Sequence, residues 1–326
     1  MPTIKDVAER SGVSVATVSR IMNNRGAISE KTRIKVHKAM KDLNYQPNEM
    51  ARSLQRSKSH IIGLIMPLID YAFFSKLADS IEETCHERGY KLMLCKSGNH
   101  QERELEMVSM LHANKVDGIL ICSRVGDASI YTKYDLPIVS IDRDIEKVPS
   151  VTSDNYHGGI LAAQVLINAR CKAPLIFGGE VPEYMEMDLR FKGFRDECAK
   201  KNVKSLELFV KDCDSYQEKL FNEFISFVGK NPQVDGVFVT GDMIAAKLLC
   251  LEKIEKFIKN IPVVGFDGIE ISELLGISTV AQPIQEMGEC AVDLLIRKVE
   301  GKMVPERSIL PVKLIERKST LRFRHE

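Results

Sequence analysis

Apolar and small side chains recur at helical spacing in two short segments near the N-terminus. Thr3 and Asp6 form a carboxylate variant of the capping box, which predicts that the first helix begins beside them. Gly12 ends that helix, because glycine accepts the positive φ of a sharp turn. Ser14 caps a second helix, and a third is predicted from Ser29 to Leu43. The inward side of the first two helices consists of Ile4, Val7, Ala8, Ser11, Val18, Ile21 and Met22.

The outer side of the second helix carries small or hydrogen-bonding side chains and one guanidinium. Two short helices joined by a glycine turn, with such an uncrowded outer face, are typical of a helix-turn-helix that reads DNA. An ordinary three-helix bundle is the alternative. Arg20 is expected to hydrogen-bond a base edge, whereas Val15 and Ala16 offer only methyl or van der Waals contact. The predicted DNA-binding residues of this head are Thr3, Ser14, Val15, Ala16, Thr17, Ser19, Arg20 and Asn23.

Beyond residue 60 the pattern changes to short apolar strands that alternate with amphipathic helices. Ile61–Pro67 is apolar on both faces, which indicates a strand of a buried parallel sheet. One continuous helix is predicted over Asp242–Ile258. The alternation predicts an all-α helix-turn-helix head followed by an α/β body of two doubly wound lobes. Further strands are predicted at residues 90–95, 118–122, 137–141, 175–177, 206–210, 236–240 and 262–265.

These patterns also place the domain boundaries. The head covers residues 1–46, a short helix and linker cover 47–60, and the α/β body covers 61–326. The chain is expected to cross back between the lobes near Val280–Ile284. One lobe then combines residues 61–152 with 284–310, and the other combines 153–281 with 311–326.

Charge is distributed unevenly between these parts. The first sixty residues contain twelve basic and five acidic residues, and the rest of the chain contains 34 basic and 40 acidic ones. A basic head on a mildly acidic body is typical of a DNA-binding module joined to a second function. A uniformly solvated surface would not separate its charges in this way, so the charge favours the helix-turn-helix over an ordinary bundle.

Composition argues against several other classes of protein. The chain has no run of eighteen apolar residues and no secretion leader, so a cytoplasmic protein without a membrane span is expected. The eight cysteines are scattered without a CxxC pair or a local His–Cys cluster, so neither a metal nor another cofactor is predicted. An enzyme is also not expected, because the chain lacks a nucleophile motif, a local acid–base pair and a phosphate-binding GxxxxGK(S/T) loop.

Several motifs of the head are similar to the opening of the LacI/GalR family of bacterial transcription regulators. They are Ile4–Ala8, Gly12–Ser14, Thr17–Arg20, Ser29–Arg33, Leu43–Asn48 and Ala51–Leu54. The resemblance continues through the body, and it implies that 47–60 is a hinge helix and linker and that 61–326 is an effector-binding and dimerisation domain with two lobes of the type I periplasmic sugar-binding fold. It also implies a homodimer that binds a pseudo-palindromic operator in double-stranded DNA. Within the family, three motifs look most like the sucrose-operon repressors of Gram-positive bacteria: Ser29–Thr32, Asp154–Gly159 and the pair Gln282-Pro283.

Residues 45–60 connect the head to the body. Pro47 suits the first turn of a short helix over Asn48–Gln55, but eight residues are too few for a stable isolated helix, so a flexible linker is one interpretation. The family resemblance implies instead a hinge helix that orders on DNA and pairs with its copy from a second subunit. Leu54 would then wedge into the minor groove. The implied DNA contacts of the hinge are Asn48, Ala51, Arg52 and Leu54.

Polar side chains follow several predicted strands, at the edge where open α/β sheets bind ligands. Carboxylates accept hydrogen bonds from sugar hydroxyls, and a guanidinium donates them. Asp142 and Asp267 could instead cap turns, and one of two adjacent phenylalanines could be ordinary core. Gly241-Asp242 replaces a more polar pair of many family members, which removes one expected contact. By resemblance, the effector contacts would be Tyr71, Phe73, Phe74, Asp142, Arg143, Asn155, Arg190, Asp242, Asp267 and Gln282.

The leading hypothesis is a homodimeric repressor that a small-molecule sugar or sugar phosphate releases from its operator. Ligand and DNA would be coupled through their different affinities for two states of the protein. One alternative is a regulator that needs a corepressor or a partner phosphoprotein to bind DNA. A second is a solute-binding protein for transport, against which the basic head argues.

Overall fold

The computed structural model describes residues 2–23, 25–46, 58–98, 100–123, 131, 133–182, 184–211 and 218–323. The chain divides into two compact units, Met1–Ser59 and His60–Glu326. The first unit is the head and the second is the body. Pro47 and the hinge residues Asn48, Ala51, Arg52 and Leu54 lie outside the described residues.

The described part of the head contains the helices α1 (Ile4–Ser11), α2 (Val15–Met22) and α3 (Glu30–Asp42). The Asp6 carboxylate accepts hydrogen bonds from the Thr3 backbone N–H at 2.6 Å and from the Thr3 hydroxyl at 2.9 Å. Gly12 turns the chain with φ +69°, and Ser14 Oγ then accepts from the Thr17 N–H at 3.1 Å. These local signals fix the ends of α1 and α2. The buried core of the head is Val7, Ala8, Val18, Ile21, Val36 and Ala39.

Strands and helices alternate through the body. In chain order the elements are β1 (Ile61–Met66), α4 (Ala72–Glu87), β2 (Lys91–Lys96), α5 (Gln101–Ala113), β3 (Gly118–Ile121), β4 (Ile138–Ile141), β5 (Ser150–Ser153), α6 (Asn155–Asn168), β6 (Pro174–Gly179), α7 (Asp188–Lys200), β7 (Leu206–Val210), α8 (Glu218–Lys230), β8 (Gly236–Val239), α9 (Asp242–Cys250), a 3-10 turn (Glu252–Ile254), α10 (Glu255–Ile258), β9 (Val263–Asp267), α11 (Glu270–Leu274), β10 (Ser278–Ala281), α12 (Ile284–Val299), β11 (Arg307–Leu310), β12 (Lys313–Ile315) and α13 (Lys318–Leu321).

The first lobe is built on a six-stranded parallel sheet in the order β11-β5-β4-β3-β1-β2. Helices α4 and α12 pack on each other over one face, where Leu77, Ile81 and Leu295 are buried. Helix α5 covers the other face through Val108 and Leu111. Both faces of the sheet are therefore covered, as the continuous apolar pattern of β1 predicts.

The second lobe is built on a sheet in the order β12-β10-β9-β8-β6-β7, in which only the pairing of β10 with β12 is antiparallel. Helices α6 and α7 cover one face, and α8, α9 and α10 cover the other. The chain passes between the lobes three times, from β5 to α6, from β10 to α12 and from β11 to β12. The predicted fold class, a helical head and two doubly wound α/β lobes, is confirmed.

The hydrophobic pattern did not identify the strands β5, β10, β11 and β12. β5 and β10 are rich in serine and threonine, yet they are almost entirely buried, and neighbouring groups hydrogen-bond the hydroxyls of Ser150, Ser153 and Ser278. For example, Ser278 Oγ and Thr320 Oγ1 lie 2.6 Å apart in a hydrogen bond. β11 and β12 are partly exposed edge strands with mixed polarity. In a sequence, the polar residues of buried strands such as β5 and β10 look like those of a loop.

The continuous helix predicted over Asp242–Ile258 is wrong. Helix α9 ends at Cys250, where Leu251 adopts an extended backbone with φ −83° and ψ 110°, and a 3-10 turn precedes α10. Ile244, Leu248 and Ile258 nevertheless all face the same core. Because the apolar spacing continues through the interruption, periodicity alone does not reveal it.

Candidate functional site

The outer face of α2 has the composition expected of a DNA-reading surface. Ser14, Val15, Ala16 and Arg20 are exposed, and Val15 retains 40% of its accessible surface. Thr17, Ser19 and Asn23 are half-buried beside them, and Thr3 is exposed at the start of α1. The structure thus places the predicted residues of the head on the accessible parts of α1 and α2, with the Arg20 guanidinium as their only permanent charge.

A buried arginine lies at the centre of the polar residues between the two lobes. Arg190, in the first turn of α7, retains only 2% of its accessible surface. Its Nη1 is 3.9 Å from Asp267 Oδ1 and donates to the Thr240 carbonyl at 3.2 Å. Its Nε donates to Asn155 Oδ1, and its guanidinium lies 3.6 Å from the centroid of the Phe266 ring. Desolvation of this cation is offset by fixed partners.

Two glycines allow α6 and α7 to bring Arg190 into this position. A Cβ on Gly159 would lie 2.0 Å from the Arg190 carbonyl oxygen, and a Cβ on Gly193 would lie 2.0 Å from the Tyr156 carbonyl oxygen. No real side chain tolerates such distances to a backbone atom, so the two helices can approach this closely only with glycine at both positions. The close packing fixes Arg190 relative to Asn155 at the start of α6.

Asp267 connects the second lobe to the first. It lies at the end of β9 with φ +112°, a strained conformation for a residue other than glycine. Its Oδ2 accepts a hydrogen bond from Tyr71 Oη of the first lobe at 3.0 Å, and its Oδ1 accepts from Gln282 Nε2 at 2.8 Å. Gln282 Oε1 in turn accepts from Ser153 Oγ at 2.6 Å. Tyr71 of the first lobe and Gln282 of a crossing segment therefore contact one carboxylate of the second lobe, and Ser153 of another crossing segment holds Gln282 in place.

Asp142 and Arg143 follow β4 in the first lobe and form a second polar group. Asp142 turns the chain with φ +60°, and its backbone N–H donates to the Val151 carbonyl at 2.9 Å. Arg143 retains 3% of its accessible surface, and its Nη1 donates to Ser123 Oγ at 3.0 Å. Its guanidinium lies 4.7 Å from the ring centroid of Tyr184, which belongs to the second lobe. This cation–π contact is a second bridge between the lobes, beside the hydrogen bond of Tyr71 to Asp267.

Three of the predicted effector residues occupy different surroundings. Phe73 and Phe74 are buried in the core of the first lobe, where the Phe74 ring centroid is 6.0 Å from that of Tyr71. Asp242 is fully buried, and its Oδ2 accepts from the backbone N–H groups of Gly268 at 2.8 Å and Ile269 at 3.0 Å. Asp242 therefore supports the loop after β9. The structure brings together Tyr71, Asn155, Arg190, Asp267 and Gln282, and it places Asp142 and Arg143 at the second bridge.

Burial governs the ionisation of the two buried aspartates. Burial raises the pKa of Asp267, whereas the charge of Arg190 and the hydrogen bonds from Gln282 and Tyr71 oppose this rise. Burial also raises the pKa of Asp242, and the negative charge of Asp267 adds to the effect. Asp267 holds the partners that stabilise a carboxylate, so we assign the charge to Asp267 and the raised pKa chiefly to Asp242.

The raised pKa of Asp242 makes the stability of the body depend on pH. The buried Asp242 carboxyl contributes fully to stability in acid, where it is protonated in both the folded and the unfolded protein. This contribution is lost as pH rises through the raised pKa of the folded protein. We therefore expect the free energy of unfolding of Asp242→Asn to fall less than that of the wild type between about pH 4 and about pH 7. Urea unfolding at several pH values measures this, with Asp70→Asn as an exposed control. Parallel pH profiles for wild type and Asp242→Asn would contradict it.

Four residues of the site were not among the predicted ones. Ser123, Ser153, Thr240 and Tyr184 contact the arginines or Gln282 through single hydroxyls, one carbonyl and one ring face. None of them belongs to a motif. Only a weak sequence signal exists for three of them. Ser123, Ser153 and Thr240 lie at or just after the ends of strands, at the edge of the sheet where ligands bind.

The described residues indicate neither a metal centre nor a membrane segment. They contain no group of three or more His, Cys, Asp or Glu side chains that could hold a metal ion. Among them, no helix has both the length and the apolar character needed to cross a membrane. Five of the described cysteines, Cys85, Cys95, Cys122, Cys171 and Cys198, are buried. Their positions agree with the interpretation of cysteine as a small core residue.

A helix-turn-helix head and a two-lobed α/β body with polar residues between the lobes are the architecture of a ligand-responsive DNA-binding regulator. The family model of bacterial regulatory proteins of the lacI family matches residues 3–48. The model of periplasmic binding proteins and the sugar binding domain of the LacI family matches residues 59–318. The chain belongs to the LacI family, as the motifs of its head predict.

The chain is also similar to individual members of this family. It is 37% identical over 317 residues to the sucrose operon repressor of Lactococcus lactis subsp. lactis, covering 96% of this chain and 98% of that one. It is 36% identical over 330 residues to the ribose operon repressor of Bacillus subtilis (strain 168), covering 98% and 99%. In structure it is similar to the lac repressor dimer bound to operator and the anti-inducer ONPF, with a TM-score of 0.86, 25% identity and coverage of 98% and 99%. Because the chain belongs to a family of bacterial regulatory proteins, it is a regulator and not an enzyme.

Proposed function

We propose that this protein is a homodimeric repressor of a carbohydrate-utilisation operon and that a sugar bound between its lobes releases it from DNA. The observation that carries the proposal is the set of donors and acceptors around Arg190 and Asp267. Tyr71, Asn155 and Gln282 hold this pair from both lobes. Such a buried set of oriented donors and acceptors suits vicinal hydroxyl groups, whose loss would leave buried partners unpaired.

The balance of charge in the site favours a neutral sugar over a sugar phosphate. Arg143 and Arg190 supply two positive charges, and Asp142 and Asp267 supply two negative ones. Each arginine is already engaged by the protein, Arg190 by Asp267 and Arg143 by Ser123 and Tyr184. A phosphate needs an excess of donors and positive charge, which this set does not offer. We therefore infer a neutral mono- or disaccharide as the effector.

A dimer would place two heads on one operator. The lac repressor, with which this chain shares its fold over nearly its whole length, is a dimer bound to operator in its crystal structure. The twofold symmetry of a dimer requires a pseudo-palindromic site, and each α2 would read one half-site. The protein would act in the cytoplasm, where the operator lies. The hinge helix and its Leu54 wedge, which lie outside the described residues, remain a prediction from the sequence.

Two bridges between the lobes connect the proposed sugar site to the arrangement of the lobes. Tyr71 with Asp267, and Arg143 with Tyr184, join residues that a bound sugar would contact. A sugar that binds one arrangement of the lobes more tightly shifts the population towards it, and operator affinity changes by the same coupling factor. We infer that this arrangement binds DNA less tightly, so the sugar is an inducer.

Calorimetric titration of the full-length protein tests the effector class. We choose ribose and sucrose, which the names of the two relatives suggest, together with ribose 5-phosphate and sucrose 6-phosphate. We expect one of the neutral sugars to bind with a Kd in the micromolar range, about −8 kcal/mol, and its phosphate to bind at least about tenfold more weakly. Tighter binding of a phosphate would overturn the neutral effector. The absence of binding by all four would contradict an effector of either relative's class.

Arg20 tests the role of α2 in sequence recognition. We expect Arg20→Ala to weaken binding to the preferred operator by about 1–3 kcal/mol and to relax the preference at one base pair of each half-site. Selection from randomised DNA followed by sequencing measures both effects. Lys38→Ala, an exposed change on α3, is the control and should leave the preference unchanged. An Arg20→Ala protein with an intact preference would exclude Arg20 from base recognition.

A further inference from the structure

A buried carboxylate lies in the first lobe. It belongs neither to the DNA-binding face of α2 nor to the group of residues around Arg190 and Asp267. Glu104, in the first turn of α5, retains 1% of its accessible surface. A buried carboxylate strongly destabilises a fold unless hydrogen bonds or a positive charge compensate for it. Glu104 belongs to no motif of the sequence. Its partners therefore indicate why the fold contains it.

Glu104 is bonded to two hydroxyls that lead to the effector site. Its Oε1 accepts from Ser123 Oγ at 2.8 Å and from Tyr131 Oη, and the two hydroxyl oxygens are 2.7 Å apart. Burial and the Glu104 charge raise the pKa of Tyr131, so this phenol stays protonated and donates. Both hydroxyls can thus direct their protons towards the carboxylate.

Arg143 occupies the other end of this network. Since the Ser123 proton points to the carboxylate side, the Ser123 oxygen presents its lone pairs to Arg143 Nη1, which donates at 3.0 Å. This guanidinium also contacts the Tyr184 ring of the second lobe, whose centroid lies 4.7 Å away. The negative charge of Glu104 is therefore linked through one serine to a buried positive charge at the bridge between the lobes. Bonds in such a chain polarise one another.

We propose that Glu104 is a positioning residue for the effector: through Ser123 and Tyr131 it holds the Arg143 guanidinium in the orientation in which it contacts both the sugar and Tyr184. This inference rests on the proposed function of the site. Glu104 itself does not contact the sugar. Glu104 affects ligand selection indirectly. When Ser123 holds the Arg143 guanidinium, its remaining N–H groups donate in fixed directions, and an N–H that points elsewhere loses its hydrogen bond to the ligand.

The first arm of the test uses the full-length protein without sugar. Nitrogen-15 labelling of arginine gives a side-chain NMR signal for each Nε–H, and Arg143→Lys identifies the signal of Arg143. We expect Glu104→Gln to shift this signal and to speed its exchange with water at least about tenfold, because the ordered contact opens more often. Tyr131→Phe, the milder change, should act in the same direction. Glu106→Gln, an exposed change on the same helix, is the matched control and should have no effect.

The second arm measures the affinity for the sugar that the wild type binds. We expect Glu104→Gln to raise the Kd about tenfold, the value of one lost charge-assisted hydrogen bond, and to leave operator affinity without sugar unchanged. In the Arg143→Lys background the same change should raise the Kd less than about twofold, since the effect passes through Arg143. A purely structural role would weaken binding equally in both backgrounds.

Each outcome decides one of the two proposals. An unshifted Arg143 signal, or an equal loss of sugar affinity in both backgrounds, would overturn the positioning role. A wild-type protein that binds none of the sugars, with an Arg143 signal that still depends on Glu104, would support the positioning of Arg143 and overturn the proposed effector class. A coupled loss of sugar affinity supports both.

Discussion

Replacing Asp267 by alanine is expected to abolish the response to sugar while the head still binds DNA. The change removes the carboxylate that accepts from Tyr71 and Gln282, and it leaves the buried Arg190 without its ion-pair partner. Loss of the acceptor should lower sugar affinity at least about 100-fold. Removal of one partner of a buried pair should also lower the free energy of unfolding by about 3–5 kcal/mol. Calorimetry and urea unfolding measure the two effects.

Two further variants separate lost binding from lost structure. Asp267→Asn keeps the size of the side chain and one acceptor oxygen, so it should destabilise the body less but still weaken sugar binding. Asp70→Ala changes an exposed aspartate next to Tyr71 and should alter neither property. Sugar affinity within about twofold of the wild type in a folded Asp267→Asn protein would place the effector elsewhere.

Replacing Gly193 by alanine is expected to have the second-largest effect. The added Cβ would lie 2.0 Å from the Tyr156 carbonyl oxygen, so α6 and α7 must move apart. We expect a loss of about 3 kcal/mol in the free energy of unfolding, at the upper end of ordinary overpacking. Since Arg190 is on the same face of α7 and bonds Asn155 at the start of α6, sugar affinity should fall at the same time.

Gly229 provides the matched control. It is also a helical glycine, in α8, but a Cβ at this position would have nothing within 4 Å. Gly229→Ala should therefore leave stability unchanged or raise it slightly, because alanine is the better helix former. A Gly193→Ala protein as stable as Gly229→Ala would show that the two helices can separate without cost and that the glycine pair does not position Arg190.

The fold was largely predictable because its signals are local. The Thr3–Asp6 capping box, the Gly12 turn and the Ser14 cap each act within four residues, and the structure contains all three. The apolar runs of the parallel strands are equally local. Strands such as β5 and β10 were missed because they are polar although buried, and the hydrogen-bond partners of Ser153 and Ser278 lie far away in the chain. One example is the bond of Ser153 to Gln282.

The site was less predictable because its contacts are long-range. The pair Arg190 and Asp267 followed from strand ends and family resemblance, but nothing in the sequence relates Arg143 to Tyr184 or to Glu104. A carboxylate within a helical pattern usually indicates a solvated face, and only the folded structure shows that Glu104 is buried. Asp242 shows the reverse case. The family resemblance predicts that it contacts the effector, but in the structure it supports the loop after β9.

Control of operator affinity by a sugar between the lobes is the core of the proposed mechanism. Its most direct measurement is the anisotropy of a labelled operator, chosen by selection from genomic fragments, titrated with the full-length protein at fixed salt with and without the bound sugar. We predict that saturating sugar raises the operator Kd at least about tenfold, a coupling of about 1.4 kcal/mol, and that Asp267→Ala eliminates this change. An operator Kd that is unchanged or lowered by a sugar known to bind would contradict the account, and a lowered Kd would identify the sugar as a corepressor.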